Sequence, residues 1–136
     1  MRVIVAVDDN NGMMFNCRRQ SSDSVLRQHI LDISSKSLLW MNPYTYKQFD
    51  GAPAHVKVSD AFLSKAGKGE YCFVENESIA SISDKLEALI IYRWNRVYPS
   101  DLRLDFLPWG NGMHCTLTEE FKGHSHDKIT MEVWQK

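Results

Sequence analysis

The sequence lacks the features of three common protein classes. Its three cysteines are an odd number without a C-x-x-C pair, which argues against a disulfide framework and favours a reducing compartment. A formal net charge of −1 gives no field that would attract nucleic acid or an anionic membrane surface. The uncharged stretch after Arg2 ends at Asp8, which is too short for a signal peptide or a membrane span. We therefore expect a cytoplasmic protein that binds neither nucleic acid nor membranes.

The opening stretch predicts both a central strand and the position of a pocket. Residues Arg2–Val7 are β-branched and almost wholly apolar, and they stop at an Asp-Asp-Asn-Asn-Gly cluster, as expected of a strand covered on both faces. Ligands of open α/β sheets lie beyond the carboxyl ends of the strands. The loop 8–22 should therefore open a pocket, with Asp23 just beyond it.

The rest of the chain predicts one α/β domain, residues 1–136, large enough to bury roughly two-thirds of the surface of its unfolded chain. Apolar runs alternate with amphipathic segments as far as Tyr92, which predicts crossovers and a parallel sheet. The expected strands are 38–41, 55–58, 71–74 and 89–92, and the expected helices are 22–34, 43–49, 61–66 and one after Asn76. No helical periodicity follows Tyr92, and 102–106, 113–118 and 128–134 are expected strands. The fold class is a doubly wound, mostly parallel sheet with a C-terminal antiparallel hairpin.

Four segments together resemble the dihydrofolate reductase family. Arg2–Val7, followed by Asp-Asn-Asn-Gly and a carboxylate at the next helix start, resembles that family's opening. Met41–Phe49 lies where the family has a Met-Gly-Arg-x-Thr turn. Leu89–Trp94 with Pro99–Asp101 is similar to a strand and the Gly-Asp segment after it, and Gly123–Trp134 is similar to the closing loop and last strand. The resemblance runs the whole chain in order and implies a shortened, divergent dihydrofolate reductase-like fold.

The resemblance also implies a site. Asp23 takes the position of the carboxylate that hydrogen-bonds the pterin, and Ala6 lies on a strand that lines the same pocket. Tyr92 falls at the Thr that backs the carboxylate, and Thr45 matches a Thr near the substrate and the nicotinamide. The implied activity is reduction of a pterin-like or other conjugated C=N ring, with Asp23 and Tyr92 as catalytic residues and NADPH as the hydride source.

Two departures from the family indicate a degraded dinucleotide site. The family binds NADPH phosphates at a Gly-Gly turn before a helix, where open amide groups face the pyrophosphate. Here that turn reads Glu75-Asn76-Glu77, and Asn42-Pro43 replaces the Gly-Arg of the first cofactor turn. A non-catalytic small-molecule-binding or regulatory domain on the same fold is therefore the alternative to a reductase, and in both hypotheses the partner is a pterin-like small molecule.

Several of these residues also have simpler interpretations. Asp23 is a suitable N-cap, a role that needs no ligand. The motif Gly123-His-Ser-His-Asp begins like a dinuclear zinc hydrolase signature, with His124, His126 and Asp127 as ligands. It lacks the next His of that signature, and its position between two expected strands favours a polar turn without metal.

A basic patch beside the pocket is a further possibility, suited to a carboxylate or phosphate ligand. The alternative, which we favour, is a set of solvated charges balanced by nearby acids. The candidate residues are Arg18, Arg19, Arg93, Arg96 and Arg103.

Overall fold

The structure, a computed structural model, describes residues 1–136 and is built around a seven-stranded mixed sheet. Three α-helices and two short 3-10 helices (Ala80–Lys85 and Pro108–Gly110) accompany the strands. The helices are α1 (Ser24–Ile33), α2 (Pro43–Tyr46) and α3 (Phe62–Lys65). The strands are β1 (Arg2–Val7), β2 (Gly12–Phe15), β3 (Arg18–Arg19), β4 (Leu39–Met41), β5 (Val56–Val58), β6 (Tyr71–Phe73), β7 (Ala88–Arg93), β8 (Leu102–Arg103), β9 (His114–Phe121) and β10 (Ile129–Gln135).

The strand order of the main sheet is β5-β4-β6-β1-β7-β10-β9. The first five strands in this order are parallel, and β10 pairs antiparallel with both β7 and β9. This arrangement confirms the predicted fold class, a mostly parallel sheet with a C-terminal antiparallel hairpin.

Strand β1 is central because both its faces are covered. Val3, Val5 and Val7 belong to one buried cluster, and Ile4 belongs to the cluster on the opposite face. Alternation of side chains along a strand produces this division, and the absence of polar residues at either set of positions makes a two-sided core possible. The carboxyl end of β1 therefore opens between two packed layers.

Helix α1 lies on the face that contains Ile4. Its N-cap is Asp23, whose side chain accepts hydrogen bonds from the backbone N–H groups of Val25 and Leu26. Leu26 and Ile30, four residues apart, form its buried stripe. The helix thus begins at Ser24, slightly later than the sequence pattern indicates.

Four segments differ from the sequence expectations. The loop 8–22 contains an antiparallel hairpin, β2–β3, which joins β8 in a second, three-stranded sheet. The segment after Asn76 forms only the 3-10 helix Ala80–Lys85, interrupted by non-helical backbone at Ile82. Strand β8 has two residues instead of the expected five, and β9 extends further than expected, to Phe121. No helix has both the length and the apolar character needed to cross a membrane.

Candidate functional site

A narrow hollow lies at the carboxyl end of β1, between the β2–β3 hairpin and the start of α1. Its apolar wall consists of Ala6, Met13, Leu26, Phe73 and Trp94. Its polar wall consists of residues 19–23, Gln48 and Glu75. The free volume is about 10 Å³, which is room for about one water molecule. A larger molecule can enter only if the hairpin moves outwards.

Asp23 holds the start of α1 and the turn 123–126, here called the closing turn, to each other. Its side chain has an exposed fraction of 0 %. Oδ1 accepts hydrogen bonds from the N–H groups of Val25 (2.9 Å), Leu26 (3.3 Å) and His124 (3.0 Å). Oδ2 accepts from Ser125 N (3.0 Å), Ser125 Oγ (3.3 Å) and His126 Nδ1 (2.8 Å). Both oxygens are therefore fully engaged within the protein.

These bonds determine the charge of Asp23. Burial disfavours the ionised form, but the hydrogen bonds from His124, His126, Ser125 and Leu26 outweigh it, so the pKa of Asp23 lies well below its ordinary value. The closing turn packs so tightly that a Cβ at Gly123 would lie 2.5 Å from Asp23 Oδ2. Asp23 is therefore an ionised carboxylate that is buried beneath the closing turn.

His126 extends this network towards the hollow. It is 4 % exposed and its ring packs against Trp94, with ring centroids 4.5 Å apart. Because Nδ1 donates its proton to ionised Asp23, Nε2 is the acceptor nitrogen. Nε2 lies 2.9 Å from Ser21 Oγ and 3.2 Å from the Tyr98 hydroxyl. Ser21 is partly exposed and lines the hollow.

A second carboxylate, Glu75, lies across the hollow from Asp23. Arg19 of the hairpin donates to both its oxygens, from Nε (2.9 Å) and from an Nη nitrogen (3.1 Å). Gln48 donates to the same carboxylate at 3.2 Å, and the Arg19 guanidinium lies 4.5 Å from the centre of the Tyr44 ring. This two-pronged ion pair fixes the hairpin over the hollow.

The four residues that the resemblance assigns to the substrate site do not all meet. Ala6 and Asp23 line the hollow, whereas Thr45 and Tyr92 do not. The Tyr92 hydroxyl bonds to His29 Nδ1 at 2.7 Å, and burial raises the pKa of Tyr92. Thr45 is fully buried, and its Oγ1 has no hydrogen-bond partner. Asp23 is therefore backed by the closing turn, not by Tyr92.

The turn that the resemblance assigns to the dinucleotide phosphates, Glu75-Asn76-Glu77, is followed by residues whose donors bind a side chain of the protein. Asp105, from the loop after β8, accepts hydrogen bonds from the N–H groups of Ile79 (2.9 Å) and Ala80 (3.0 Å) and from Ser78 Oγ. Burial opposes ionisation of Asp105, but these hydrogen bonds lower its pKa below the ordinary value. A carboxylate thus occupies the N–H groups just after the assigned turn, and Glu75 and Glu77 stand where the family has glycine, so these residues do not fit NADPH bound in the family's manner.

The remaining candidate sites are dispersed. His124 and Asp127 are exposed while His126 is buried against Asp23, and no three His, Cys, Asp or Glu side chains converge as metal ligands. Of the candidate basic patch, Arg19 pairs with Glu75 and Arg93 pairs with Glu132. The sequence did not identify Ser21 as a site residue, and it did not place Glu75 in the wall of the pocket. The proximity of Ser21 to Asp23 in the chain was the only available signal for it.

Comparison with solved structures agrees with this architecture. A dihydrofolate reductase from Enterococcus faecalis, described as complexed with NADP(H) and RAB-propyl, superimposes with a TM-score of 0.67 at 11% sequence identity. The match covers 98% of this chain and 94% of that chain. No protein-family model and no curated protein sequence matches the chain. This superposition, over nearly the whole of both chains, establishes that the chain has a dihydrofolate reductase-like fold.

Proposed function

We propose that this chain is one domain, residues 1–136, that binds a small molecule in the hollow beside α1 without holding a nicotinamide dinucleotide. The observation that carries the proposal is the position of Asp105. Its carboxylate accepts the N–H groups of Ile79 and Ala80, which closely follow the turn Glu75-Asn76-Glu77 that the resemblance assigns to the cofactor phosphates. In the assigned turn itself, Glu75 and Glu77 place carboxylate side chains where the family has glycine, and Arg19 already pairs with Glu75.

The lining of the hollow supports a flat, partly apolar ligand of the pterin-like class. Phe73, Leu26 and Trp94 give an apolar wall, and Ala6 leaves space where a larger side chain would fill it. The polar edge of such a ring would face Glu75 or, after release of the closing turn, Asp23. Entry of a ring requires the Arg19–Glu75 pair to open, because the closed hollow holds only about one water molecule.

A second candidate is an NADPH-dependent reductase of a pterin-like substrate, with Asp23 and Tyr92 in the catalytic roles and Thr45 near the reacting ring. The similar enterococcal enzyme, which is described as complexed with NADP(H), favours it. This function requires Asp105 to leave the N–H groups of Ile79 and Ala80. It also requires Asp23 to exchange its bonds to the closing turn for bonds to the substrate.

A thermal-shift experiment separates the two candidates. The protein is heated with NADPH, with folate, and with a 2,4-diaminopyrimidine antifolate, each alone. A ligand at about 100 times its dissociation constant adds about 2.7 kcal/mol to the free energy of unfolding. We expect a rise in melting temperature with folate or antifolate and none with NADPH. A rise with NADPH supports the reductase, and no rise with either pterin analogue rejects this ligand class.

Substitution in the hollow provides the control. Ala6→Val narrows the apolar wall and should abolish the ligand-induced shift. Val97→Ala changes a side chain that is 66 % exposed and distant from the lining, so it should leave the shift unchanged. An equal shift in both variants would place the ligand elsewhere.

A further inference from the structure

The hydrogen-bonded series from Asp23 to Ser21 has the geometry of a nucleophilic site. We propose that Ser21, His126 and Asp23 form a Ser–His–Asp triad that cleaves small, uncharged esters. The proposal goes beyond ligand binding, and it does not depend on whether a pterin or a dinucleotide binds.

The base and the residue that orients it are held rigidly. Asp23 Oδ2 lies 2.8 Å from His126 Nδ1, and His126 Nε2 lies 2.9 Å from Ser21 Oγ. Both distances are within the range at which a base takes a proton from a hydroxyl nucleophile. Asp23 and His126 are almost fully buried, whereas Ser21 is partly exposed. The hydrogen-bonded series therefore leads from the buried carboxylate of Asp23 to the partly exposed hydroxyl of Ser21.

The ionisation of Asp23 selects the required tautomer of His126. Hydrogen bonds from the start of α1 and from the closing turn keep the carboxylate charged, so Nδ1 keeps its proton and, in the neutral imidazole, Nε2 is the nitrogen that accepts hydrogen bonds. When Nε2 accepts a proton, the adjacent carboxylate stabilises the resulting imidazolium. Tyr98 also donates to Nε2, at 3.2 Å, which helps to hold the ring in place.

Donors for a developing oxyanion lie next to the nucleophile. The backbone N–H groups of Ser21 and Ser22 have no hydrogen-bond acceptor within the chain. Both lie directly before Asp23, the N-cap of α1. The residue after the nucleophile supplies such an N–H in other serine hydrolases. Ser22 has that position here.

Ester hydrolysis would proceed in two steps, acylation of Ser21 and hydrolysis of the acyl group. Ser21 Oγ attacks the ester carbonyl carbon as its proton passes to His126 Nε2. The C–O bond to the alcohol then breaks, and the alcohol leaves with that proton. Water attacks the acyl group on Ser21 and gives a proton to Nε2, and the carboxylic acid leaves as Oγ regains the proton.

The surroundings of Ser21 define the substrate class. The apolar wall formed by Ala6, Leu26 and Trp94 suits a small, uncharged acyl group. Because the closed hollow has room for about one water molecule, entry of an ester requires the Arg19–Glu75 pair to open. The only charged groups that line the hollow, besides Asp23, are Arg19 and Glu75, and they neutralise each other. No residue is left to pair with a charged acyl chain.

The test uses covalent labelling and turnover. The full chain is incubated with a fluorophosphonate, and the modified residue is located by peptide mass spectrometry. Hydrolysis of p-nitrophenyl acetate is measured in parallel. We expect one adduct per chain, on Ser21, and loss of turnover in proportion to labelling. Absence of an adduct on Ser21 overturns the proposal, whatever happens with folate or NADPH.

Variants assign the roles. Ser21→Ala should lower kcat/KM at least about 100-fold, whereas Ser24→Ala, an exposed serine three residues further on, should leave it unchanged. Asp23 acts as a positioning residue, so Asp23→Asn should lower kcat at least about 100-fold with KM unchanged. Circular dichroism establishes that each variant is folded. Turnover by folded Ser21→Ala equal to that of the wild type also overturns the proposal.

Discussion

The hairpin side of the molecule, beside α1, and the side formed by residues 78–80 with Asp105 use carboxylates in opposite ways. On the hairpin side, Asp23 caps α1 and transmits its charge through His126 to a hydroxyl that lines the hollow. On the other side, Asp105 binds the N–H groups of Ile79 and Ala80, and the interaction ends there. The difference shows that one carboxylate can end its interactions at the helix start it binds, while another that caps a helix is also hydrogen-bonded to a histidine at the wall of the hollow.

The most damaging change to the hairpin side is expected at the closing turn. In Gly123→Ala the new Cβ would lie 2.5 Å from Asp23 Oδ2 and 2.9 Å from Ile129 Cδ1, both in buried residues. Overpacking of this kind costs about 1–3 kcal/mol, and separation of the turn from Asp23 adds the loss of hydrogen bonds. We expect the free energy of unfolding in urea to fall by about 3 kcal/mol.

Gly110→Ala is the matched control, because a Cβ there meets nothing within 4 Å. Equal urea midpoints for the two variants would show that the closing turn does not press on Asp23.

Asp23→Asn should cost about 2 kcal/mol near pH 7, since the amide keeps one acceptor oxygen but places its NH2 against N–H donors. The folded-state pKa of Asp23 is depressed, so its contribution is complete above the unfolded pKa of about 4 and is lost as the pH falls below that value. The free energy of unfolding of the wild type should therefore decline from about pH 5 towards pH 2. The variant should show a shallower decline.

Asp127→Asn, an exposed carboxylate near the same turn, serves as the control and should retain the wild-type pH profile. Parallel profiles for Asp23→Asn and the wild type would mean that Asp23 is not held ionised by the fold.

Asp105→Asn tests the contact between Asp105 and residues 78–80. Loss of the charge weakens the bonds from Ile79 and Ala80, and we expect a decrease of about 1–2 kcal/mol in the free energy of unfolding. Amide hydrogen exchange at these two residues should accelerate more than exchange in β1. Asp84→Asn, exposed on the adjacent 3-10 helix, should change neither quantity. Unaltered exchange in Asp105→Asn would contradict the assigned contact.

The smallest effect is expected for the ion pair that fixes the hairpin. A double-mutant cycle with Arg19→Gln and Glu75→Gln should give a coupling energy of about 1 kcal/mol, because the pair is two-pronged but partly exposed. Urea denaturation of the four proteins measures it. A coupling energy near zero would mean that the hairpin is held by other contacts.

The central sheet could be predicted from the sequence because its signals are local. The apolar run Arg2–Val7 is long enough to identify a buried strand, and Asn42-Pro43 marks a helix start that the structure confirms. The assignment of Asp23 as an N-cap depends on the same kind of short-range pattern. The alternation of these elements predicted the mostly parallel sheet, whereas the order of its strands is known only from the structure.

The contacts that define the site could not be predicted, because they join distant residues. Asp23 and His126 are separated by 103 positions, and Ile79 and Asp105 by 26. A polar side chain in a loop has no sequence periodicity, so its partner is known only once the chain is folded. The 3-10 helix after Asn76 was also missed, because Ile79, Ile82 and Leu86 have the spacing of an α-helix while only Ile79 and Leu86 are buried.

Titration with NADPH tests the comparison between the two sides most directly. Calorimetric titration with NADPH is carried out on the wild type and on Asp105→Asn. We expect no binding heat for the wild type at millimolar NADPH. The hydrogen bonds that Asp105 already accepts from the N–H groups of Ile79 and Ala80 predict this result. Saturable binding of NADPH to the wild type, with one cofactor per chain, would contradict the account.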